Sequence, residues 1–248
     1  MTPEIVYQDA HLVIVDKPAG VVVHPGTGHQ GQDLLTVLAE VFANRGEEVH
    51  LAPLHRLDRD TSGLVALGRS PECARNFARL LQEGQVAKEY LALVQGVSHR
   101  KGKVSVPLAH RDSFGPRQVM QEAETRYHRV LYTRAASLLR VNPVTGRPHQ
   151  IRRHLRSIGH PVAGDDRWGE PGFNRWITHH YGLDRLFLHA YRLEFPHPMT
   201  GQLISLHQPM PEVLVQVLER MGFPPLRGPF GELEVEPDGP IVARRENP

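Results

Sequence analysis

The chain has 248 residues, of which 40% are apolar and 23% are charged, and these globular values exclude a mostly disordered chain. Its formal net charge is +2. Its one cysteine is Cys73, and a single cysteine excludes an internal disulfide and a thiolate metal cage. The apolar runs are far too short to span a bilayer and the first residues are not those of a secretory signal, so we expect a reduced, cytoplasmic protein with no membrane partner.

The first third of the chain alternates short strands with helices. Residues 5–7, 12–15 and 21–23 are rich in β-branched side chains and predict three strands, with Lys17-Pro18-Ala19-Gly20 as a tight turn. Residues 32–44 predict a helix because their apolar positions fall on one stripe. A further strand is expected over residues 63–67.

The middle and the end of the chain continue this pattern. Ser70-Pro71 is a typical helix start and Gly84 a typical helix end. Residues 89–94 predict a strand, followed by a loop rich in Arg, Lys and Gly. Later strands are expected over 123–132 and 137–144, as a candidate hairpin, and over 186–195 and 202–207. Later helices are expected over 150–158 and 211–221. Many strands with few helices indicate an α+β fold with a mixed, largely antiparallel sheet.

The domain organisation follows from composition. Residues 223–248 are rich in Pro, Gly and acidic residues and are predicted to form a flexible tail, which leaves residues 1–222 as the folded region. Only four of the 29 basic residues are lysines, and arginine suits bidentate phosphate contacts. Charge alone raises the expectation of nucleic-acid binding only slightly, because many arginines also serve surface ion pairs.

The first candidate site is the run His55-Arg56-Leu57-Asp58-Arg59-Asp60-Thr61-Ser62-Gly63-Leu64. Arg56 and Arg59 flank Asp58 and favour its ionised form, so its carboxylate could attack an electrophilic carbon. The alternative is an exposed loop whose charges pair with one another. Asp60 could be a second acid or a cap of the turn.

The second candidate site is the run from Thr145 to Leu155. On a helix, Ile151, Leu155 and Ile158 would face the core, while the cations would share the other face, namely His149, Arg152, Arg153 and Arg156. Such a face requires an acidic partner, which is phosphate or a carboxylate of the same chain. The spacing of the histidines does not predict a metal site, and no P-loop or dinucleotide motif is present.

Together these segments resemble the RluA family of RNA pseudouridine synthases from about residue 5 to about residue 221. The matching motifs follow one another in family order. They are Lys17-Pro18-Ala19-Gly20, His55-Arg56-Leu57-Asp58-x-x-Thr61-Ser62-Gly63-Leu64, Lys88-x-Tyr90-x-Ala92, Thr145-Gly146-Arg147-x-His149-Gln150-Ile151-Arg152-x-His154, Gly159-His160-Pro161 through Gly164-Asp165, Leu188-His189-Ala190 and His197-Pro198.

The resemblance implies an isomerase that breaks the N-glycosidic bond of a uridine in RNA and rejoins the base through C5. It assigns Asp58 as the catalytic aspartate, Tyr90 as the residue that packs against the target base and is a candidate for removing the C5 proton, and Arg152 as the basic partner of the aspartate. Arg56 would fill the stack that the everted base vacates. Attack on C1′ and a glycal route both stay open, and neither requires a metal or an organic cofactor.

The resemblance also implies the fold and the partner. The family fold has two subdomains, flanking helices and a central RNA cleft, and we expect a monomer that binds structured RNA. The residues that we expect to contact RNA are His55, Arg56, Arg59, Thr61, Arg147, His149, Gln150, Arg153, Lys101 and Lys103.

The target is predicted less directly. Residues 168–185 resemble an insert of the TruC-type members that modify tRNA, and no S4-type module precedes the catalytic region, so tRNA is preferred over ribosomal RNA. Two alternatives belong to other classes. A hydrolytic N-glycosidase would need two carboxylates about 5–9.5 Å apart, such as those of Asp60 and Glu89, and an inactive RNA-binding module would need none.

Overall fold

The computed structural model describes residues 3–24, 33–109 and 119–225. In chain order the elements are β1 (Glu4–Gln8), β2 (Leu12–Lys17), α1 (Leu34–Ala43), β3 (Ala52–Pro53), β4 (Ser62–Gly68), α2 (Pro71–Gln82), β5 (Ala87–Gln95), β6 (Lys101–Val104), β7 (Leu108–Ala109), β8 (Met120–Gln121), β9 (Thr125–Tyr132), β10 (Ala136–Pro143), α3 (Gln150–Ser157), α4 (Pro171–Tyr181), β11 (Leu188–Pro196), β12 (Leu203–His207) and α5 (Glu212–Arg220).

The chain forms two compact units. Unit 1 comprises Met1–Lys88 and Ala190–Gln208, and unit 2 comprises Glu89–His189 and Pro209–Pro248. Within the described residues, no helix combines the length and the apolar character needed to cross a membrane.

Unit 1 is an antiparallel sheet with a helix packed on it. Strand β2 pairs with β1 and β4, β3 pairs with β4, and the part of β11 that lies in this unit pairs with β12. Helix α2 packs against β3 and β4; it begins as predicted, since the Ser70 hydroxyl accepts a hydrogen bond from the Cys73 N–H. The core of this unit contains Leu12, Ile14, Leu54, Leu64, Ala66, Cys73, Phe77, Leu193, Phe195 and Ile204.

Unit 2 is built on four consecutively paired antiparallel strands. Strand β10 pairs with β5 and β9, and β9 pairs with β6. Helix α3 packs against β9 and β10, whereas side chains of α4 and α5 enter a separate core. That core contains Leu93, Leu131, Ala136, Leu138, Ala163, Phe173, Ile177, Leu183, Phe187, Leu214, Val217, Leu218, Met221 and Phe223.

The predicted α+β class with mostly antiparallel strands is confirmed, but two local predictions are wrong and one helix was not predicted. Residues 21–23 form no strand. The expected loop after β5 contains β6, and its edge position explains the solvent-exposed lysines. Helix α4 was not predicted, although Glu170 caps it and Pro171 occupies its first turn. Most of the predicted flexible tail lies outside the described residues.

Candidate active site

The Asp58 turn lies directly before β4 and is held by a buried lysine. The Lys17 side chain is 0% exposed, and its Nζ donates to the carbonyl oxygens of Pro18, Val21 and Arg59 at 2.8, 2.7 and 2.9 Å. An ammonium group has three donors, and burial is tolerated only when they are used. Lys17 therefore ties the turn to the end of β2.

The Arg59 carbonyl, next to Asp58, accepts a second hydrogen bond. The Gly20 N–H donates to the Arg59 oxygen at 2.9 Å, and the Thr61 N–H closes the turn onto the Asp58 oxygen at 3.1 Å. The Asp58 side chain is partly buried. The backbone that carries this carboxylate is thus fixed from two sides, which is what a positioned nucleophile or base requires.

The flanking charges of the turn face solvent. Arg59 pairs with its neighbour Asp60, with Nε and Oδ1 3.0 Å apart and side chains 64% and 40% exposed. Such an exposed pair contributes little to stability. For Arg59 and Asp60 the structure therefore matches the alternative interpretation of the sequence, in which charges of the loop pair with one another. Arg56 is exposed, whereas Thr61, which we expected to contact RNA, is buried.

The sequence places a glycine where the turn enters β4. Gly63 has φ +112°, and a Cβ built on it would lie 2.2 Å from the Ala190 carbonyl oxygen. Any side chain would strain the backbone and displace that carbonyl. This constraint explains the glycine after Asp58-x-x-Thr61-Ser62.

His55 points into unit 1 and not toward solvent as an RNA ligand would. Its Nε2 accepts the Ala66 N–H of β4 at 3.1 Å, and its ring stacks beside Phe77. Burial, aided by the nearby Lys88 ammonium, lowers the pKa of His55 to about 3. The ring is therefore neutral at neutral pH and positions the segment before Asp58.

Tyr90 lies on β5 in unit 2. It is opposite Val141 of β10, which is opposite Tyr127 of β9, which is opposite Gly102 of β6. These residues share one face of the strands, and Tyr90 is 7% exposed. A Cβ on Gly102 would lie 2.5 Å from the Tyr127 hydroxyl, so a larger residue there would require the Tyr127 ring to move.

Arg152 of α3 is held by an aspartate that the sequence analysis did not assign. Its Nε and Nη2 donate to the two carboxylate oxygens of Asp165 at 2.6 and 2.7 Å, and its Nη1 lies 2.9 Å from His149 Nδ1. Arg152 is 6% and Asp165 1% exposed. The bidentate geometry fixes the plane of the guanidinium.

The predicted cation face of α3 is therefore wrong in part. Arg152 is buried among acceptors instead of facing solvent, and Ile158 is 37% exposed instead of lying in the core. Helical periodicity cannot detect a carboxylate 13 residues further along the chain. The sequence signal that could have identified this partner is Gly164-Asp165 in the family motif. Asp165 Oδ1 also accepts the N–H groups of Arg167 and Trp168, at 3.0 and 2.9 Å.

The loop before α3 uses Gln150 internally. Its Oε1 accepts from the Thr145 hydroxyl and the Arg147 N–H, and its Nε2 donates to the Glu124 oxygen and to Thr125 Oγ1. All four hydrogen-bonding positions of this buried amide are occupied within the chain, so the structure gives Gln150 a role in holding the loop, and its contact with RNA stays a prediction.

The other predicted RNA contacts of this region are placed as follows. His149 occupies the N-cap position of α3 with φ 51°, in the left-handed region, and its side chain makes no capping hydrogen bond. Arg147 Nε donates to the Glu122 oxygen at 3.0 Å, and the Arg153 guanidinium lies 5.5 Å from the Trp168 ring centre. Lys101 is exposed on β6, and Lys103 lies 3.5 Å from a Glu124 carboxylate oxygen.

The structure positions Asp58 in unit 1, and Tyr90 and Arg152 in unit 2. Across residues 3–24, 33–109 and 119–225 there is no group of three His, Cys, Asp or Glu side chains arranged to hold a metal ion. The chemistry that these residues can supply is that of a carboxylate, a phenol and a guanidinium.

Comparisons with known proteins agree on one family. A family model described as RNA pseudouridylate synthase matches residues 11–157. Ribosomal large subunit pseudouridine synthase C of Escherichia coli (strain K12) is 40% identical over 225 residues, which are 88% of this chain and 69% of that protein. Ribosomal large subunit pseudouridine synthase D of Nitrosomonas europaea is 38% identical, over 87% of this chain and 64% of that protein.

A solved structure supports the fold. Human RNA pseudouridylate synthase domain containing 4 superposes with a TM-score of 0.70 at 26% identity, over 88% of this chain and 92% of that one.

Proposed function

The chain belongs to the RNA pseudouridylate synthase family, of the RluA type, and from this premise we propose that it isomerises a uridine of ribosomal large-subunit RNA with Asp58 as its catalytic carboxylate. As a member of this family it is an isomerase that modifies RNA. The observation that carries the proposal is the Asp58 turn, whose backbone Lys17 and Gly20 fix through the Arg59 carbonyl.

The reaction conserves all atoms of the nucleotide. The N1–C1′ bond of the uridine breaks, a C5–C1′ bond forms, C5 loses a proton and N1 gains one. Asp58 assists the cleavage, either as a nucleophile at C1′ or as a base in a glycal route. Because the detached uracil must turn before it rebonds, a site that keeps it in place gains from high effective concentration.

The residues of unit 2 complete the proposal. Tyr90 packs against the target base and is the candidate for removing the C5 proton. The resemblance assigns Arg152 as the basic partner of the catalytic aspartate, and Asp165 sets the plane of its guanidinium. Arg56, exposed beside the turn, occupies the stack that the everted base leaves. The RNA backbone contacts are drawn from Arg59, Arg147, His149, Arg153, Lys101 and Lys103.

Ribosomal RNA replaces tRNA as the preferred target. The two bacterial relatives carry ribosomal large-subunit names, and the expected preference for tRNA is not supported. That preference rested on residues 168–185, of which Phe173 and Ile177 in α4 belong to the core of unit 2. The segment thus has a packing role that accounts for its presence.

The test uses purified enzyme with transcripts of large-subunit RNA and of tRNA. We expect pseudouridine in the ribosomal transcript, no free uracil by chromatography, and a loss of about a thousandfold or more in Asp58→Asn, which keeps the shape and removes the charge. Pseudouridine in tRNA alone would refute the target, and release of uracil would favour the N-glycosidase. Binding without any product would favour the inactive module.

A further inference from the structure

Three basic side chains form one row across three neighbouring strands of unit 2. Lys101 of β6 lies opposite His128 of β9, and His128 lies opposite Arg140 of β10. Directly opposed residues of antiparallel strands point to the same face with Cβ atoms about 5 Å apart, and like charges placed so are destabilising. We call Lys101, His128 and Arg140 the basic row.

The basic row has no acidic partner among the described residues, in contrast to the next row on the same face. There, Lys103 lies opposite Arg126, and Glu124 lies 3.5 Å from Lys103 Nζ and 2.8 Å from Arg126 Nη2. The pKa of His128 is lowered, first by burial and then by the positive charges of Arg140, Arg100, Lys101 and Arg129. The field at the basic row is therefore positive and unbalanced.

The basic row is separate from the Tyr90 face. Tyr90, Val141 and Tyr127 occupy one face of the strands, and the residues adjacent to Val141 and Tyr127, which are Arg140 and His128, point to the other face because side chains alternate along a strand. β6 pairs on one side with β9. Among the described strands β6 ends the row β5-β10-β9-β6, so an RNA that contacted both faces would have to pass around the β6 edge.

We propose that the basic row binds backbone phosphates of the RNA substrate away from the nucleotide that reacts. This proposal rests on the proposed function, which makes RNA the substrate. The guanidinium of Arg140 can donate two hydrogen bonds to one phosphate. The Lys101 side chain is exposed on β6. On the β6 side the neighbours on this face, Lys103, Arg126 and Asn142, are polar. On the β5 side Arg140 lies opposite Leu91, which is buried, so Leu91 is not an exposed apolar anchor of the kind found at a protein-binding hot spot.

The test compares a double variant, Lys101→Gln with Arg140→Gln, with a control that loses the same charge elsewhere, Arg75→Gln with Arg134→Gln, both exposed. Affinity is measured at several salt concentrations for a long ribosomal RNA fragment and for a short stem-loop with the same target uridine. We expect the double variant to bind the long fragment about tenfold more weakly, with a salt slope smaller by about 1–2. The stem-loop should lose less, and the control little with either RNA.

Several outcomes would overturn the proposal. One is a double variant that matches the control; another is an equal loss with both RNAs, which would place the row at the reacting nucleotide. An unchanged RNA affinity, combined with a polyglutamate peptide that binds the wild type but not the double variant, would assign the row to an acidic protein. Lys101→Gln alone should give about half the change in the salt slope. Because Lys101 is exposed, this single variant is expected to fold, and it keeps the test decisive if the double variant misfolds. Failure of the proposed function is distinguishable, because the wild type would then bind RNA without forming pseudouridine.

Discussion

Lys17 in unit 1 and Arg152 in unit 2 are both buried cations, but they hold different things. The Lys17 ammonium donates to three main-chain carbonyls and thereby fixes the path of the Asp58 turn. Arg152 donates to a side chain, Asp165, and is itself the group that is fixed. Loss of the first contact set should move a backbone segment, whereas loss of the second should free one side chain on an intact helix.

The largest effect is expected from Lys17→Met. The variant keeps the length of the side chain but removes the ammonium donor from three carbonyl oxygens, of which that of Arg59 still accepts the Gly20 N–H. We expect a loss of about 3 kcal/mol in the free energy of unfolding. A displaced Asp58 should also lower kcat about a hundredfold. Urea denaturation and single-turnover kinetics check both, and a variant with normal kcat would show that the turn keeps its position without Lys17.

Gly63→Ala tests the same turn by steric means. Its Cβ would meet the Ala190 carbonyl at 2.2 Å in a backbone with φ +112°, whereas Gly84, at φ +70°, has open space around it. We expect a loss of about 3 kcal/mol in the free energy of unfolding for Gly63→Ala and about 1 kcal/mol for Gly84→Ala. Equal losses would mean that the close approach to Ala190 does not constrain the turn.

Asp165→Asn addresses the second half of the comparison. The asparagine Oδ1 can still accept the N–H groups of Arg167 and Trp168, but its amide replaces an acceptor of the Arg152 guanidinium with a donor. We expect kcat to fall about tenfold, and the free energy of unfolding to fall by about 3 kcal/mol because the buried guanidinium loses its charged partner.

Asn174→Ala is the matched control for Asp165. Asn174 bonds the Gly164 N–H and the Asp165 carbonyl but not the guanidinium. If Asn174→Ala lowered kcat as much as Asp165→Asn does, Asp165 would act through the turn and not through Arg152.

The smallest effect is a pH dependence of stability from His55. Its pKa is about 3 in the folded chain and about 6.5 when unfolded, so between these values the unfolded chain binds the extra proton. Stability from the neutral ring is complete above pH 6.5 and declines as the pH falls, by about 2 kcal/mol from pH 7.5 to pH 5. Denaturation at both pH values should show a smaller decline in His55→Gln; an equal decline would assign the acid sensitivity to other groups.

Local signals predicted much of the fold. The cap and proline of α2, the β9–β10 hairpin and the end of α3 at Gly159 all depend on a few neighbouring residues. The strand predicted at residues 21–23 failed because β-branched composition does not reveal that the Val21 carbonyl serves Lys17. Helix α4 was missed because its apolar residues were interpreted through the resemblance and not through their spacing.

The site was predictable only as far as motifs reach. Asp58, Tyr90 and Arg152 were assigned from matching segments, but the partners that hold them are distant in sequence. Lys17 reaches Arg59 across 42 residues, and Asp165 reaches Arg152 across 13. The basic row becomes visible only when the register of three strands is known, and residue spacing along one strand does not give that register.

The Asp58 carboxylate, on the turn that Lys17 holds, is proposed to isomerise uridine in ribosomal RNA. A map of pseudouridines in the total RNA of a strain whose own gene carries Asp58→Asn, compared with that of its parent, tests this directly. We expect discrete pseudouridines to disappear from large-subunit RNA while the variant protein is present at its normal level. A map identical to that of the parent would contradict it.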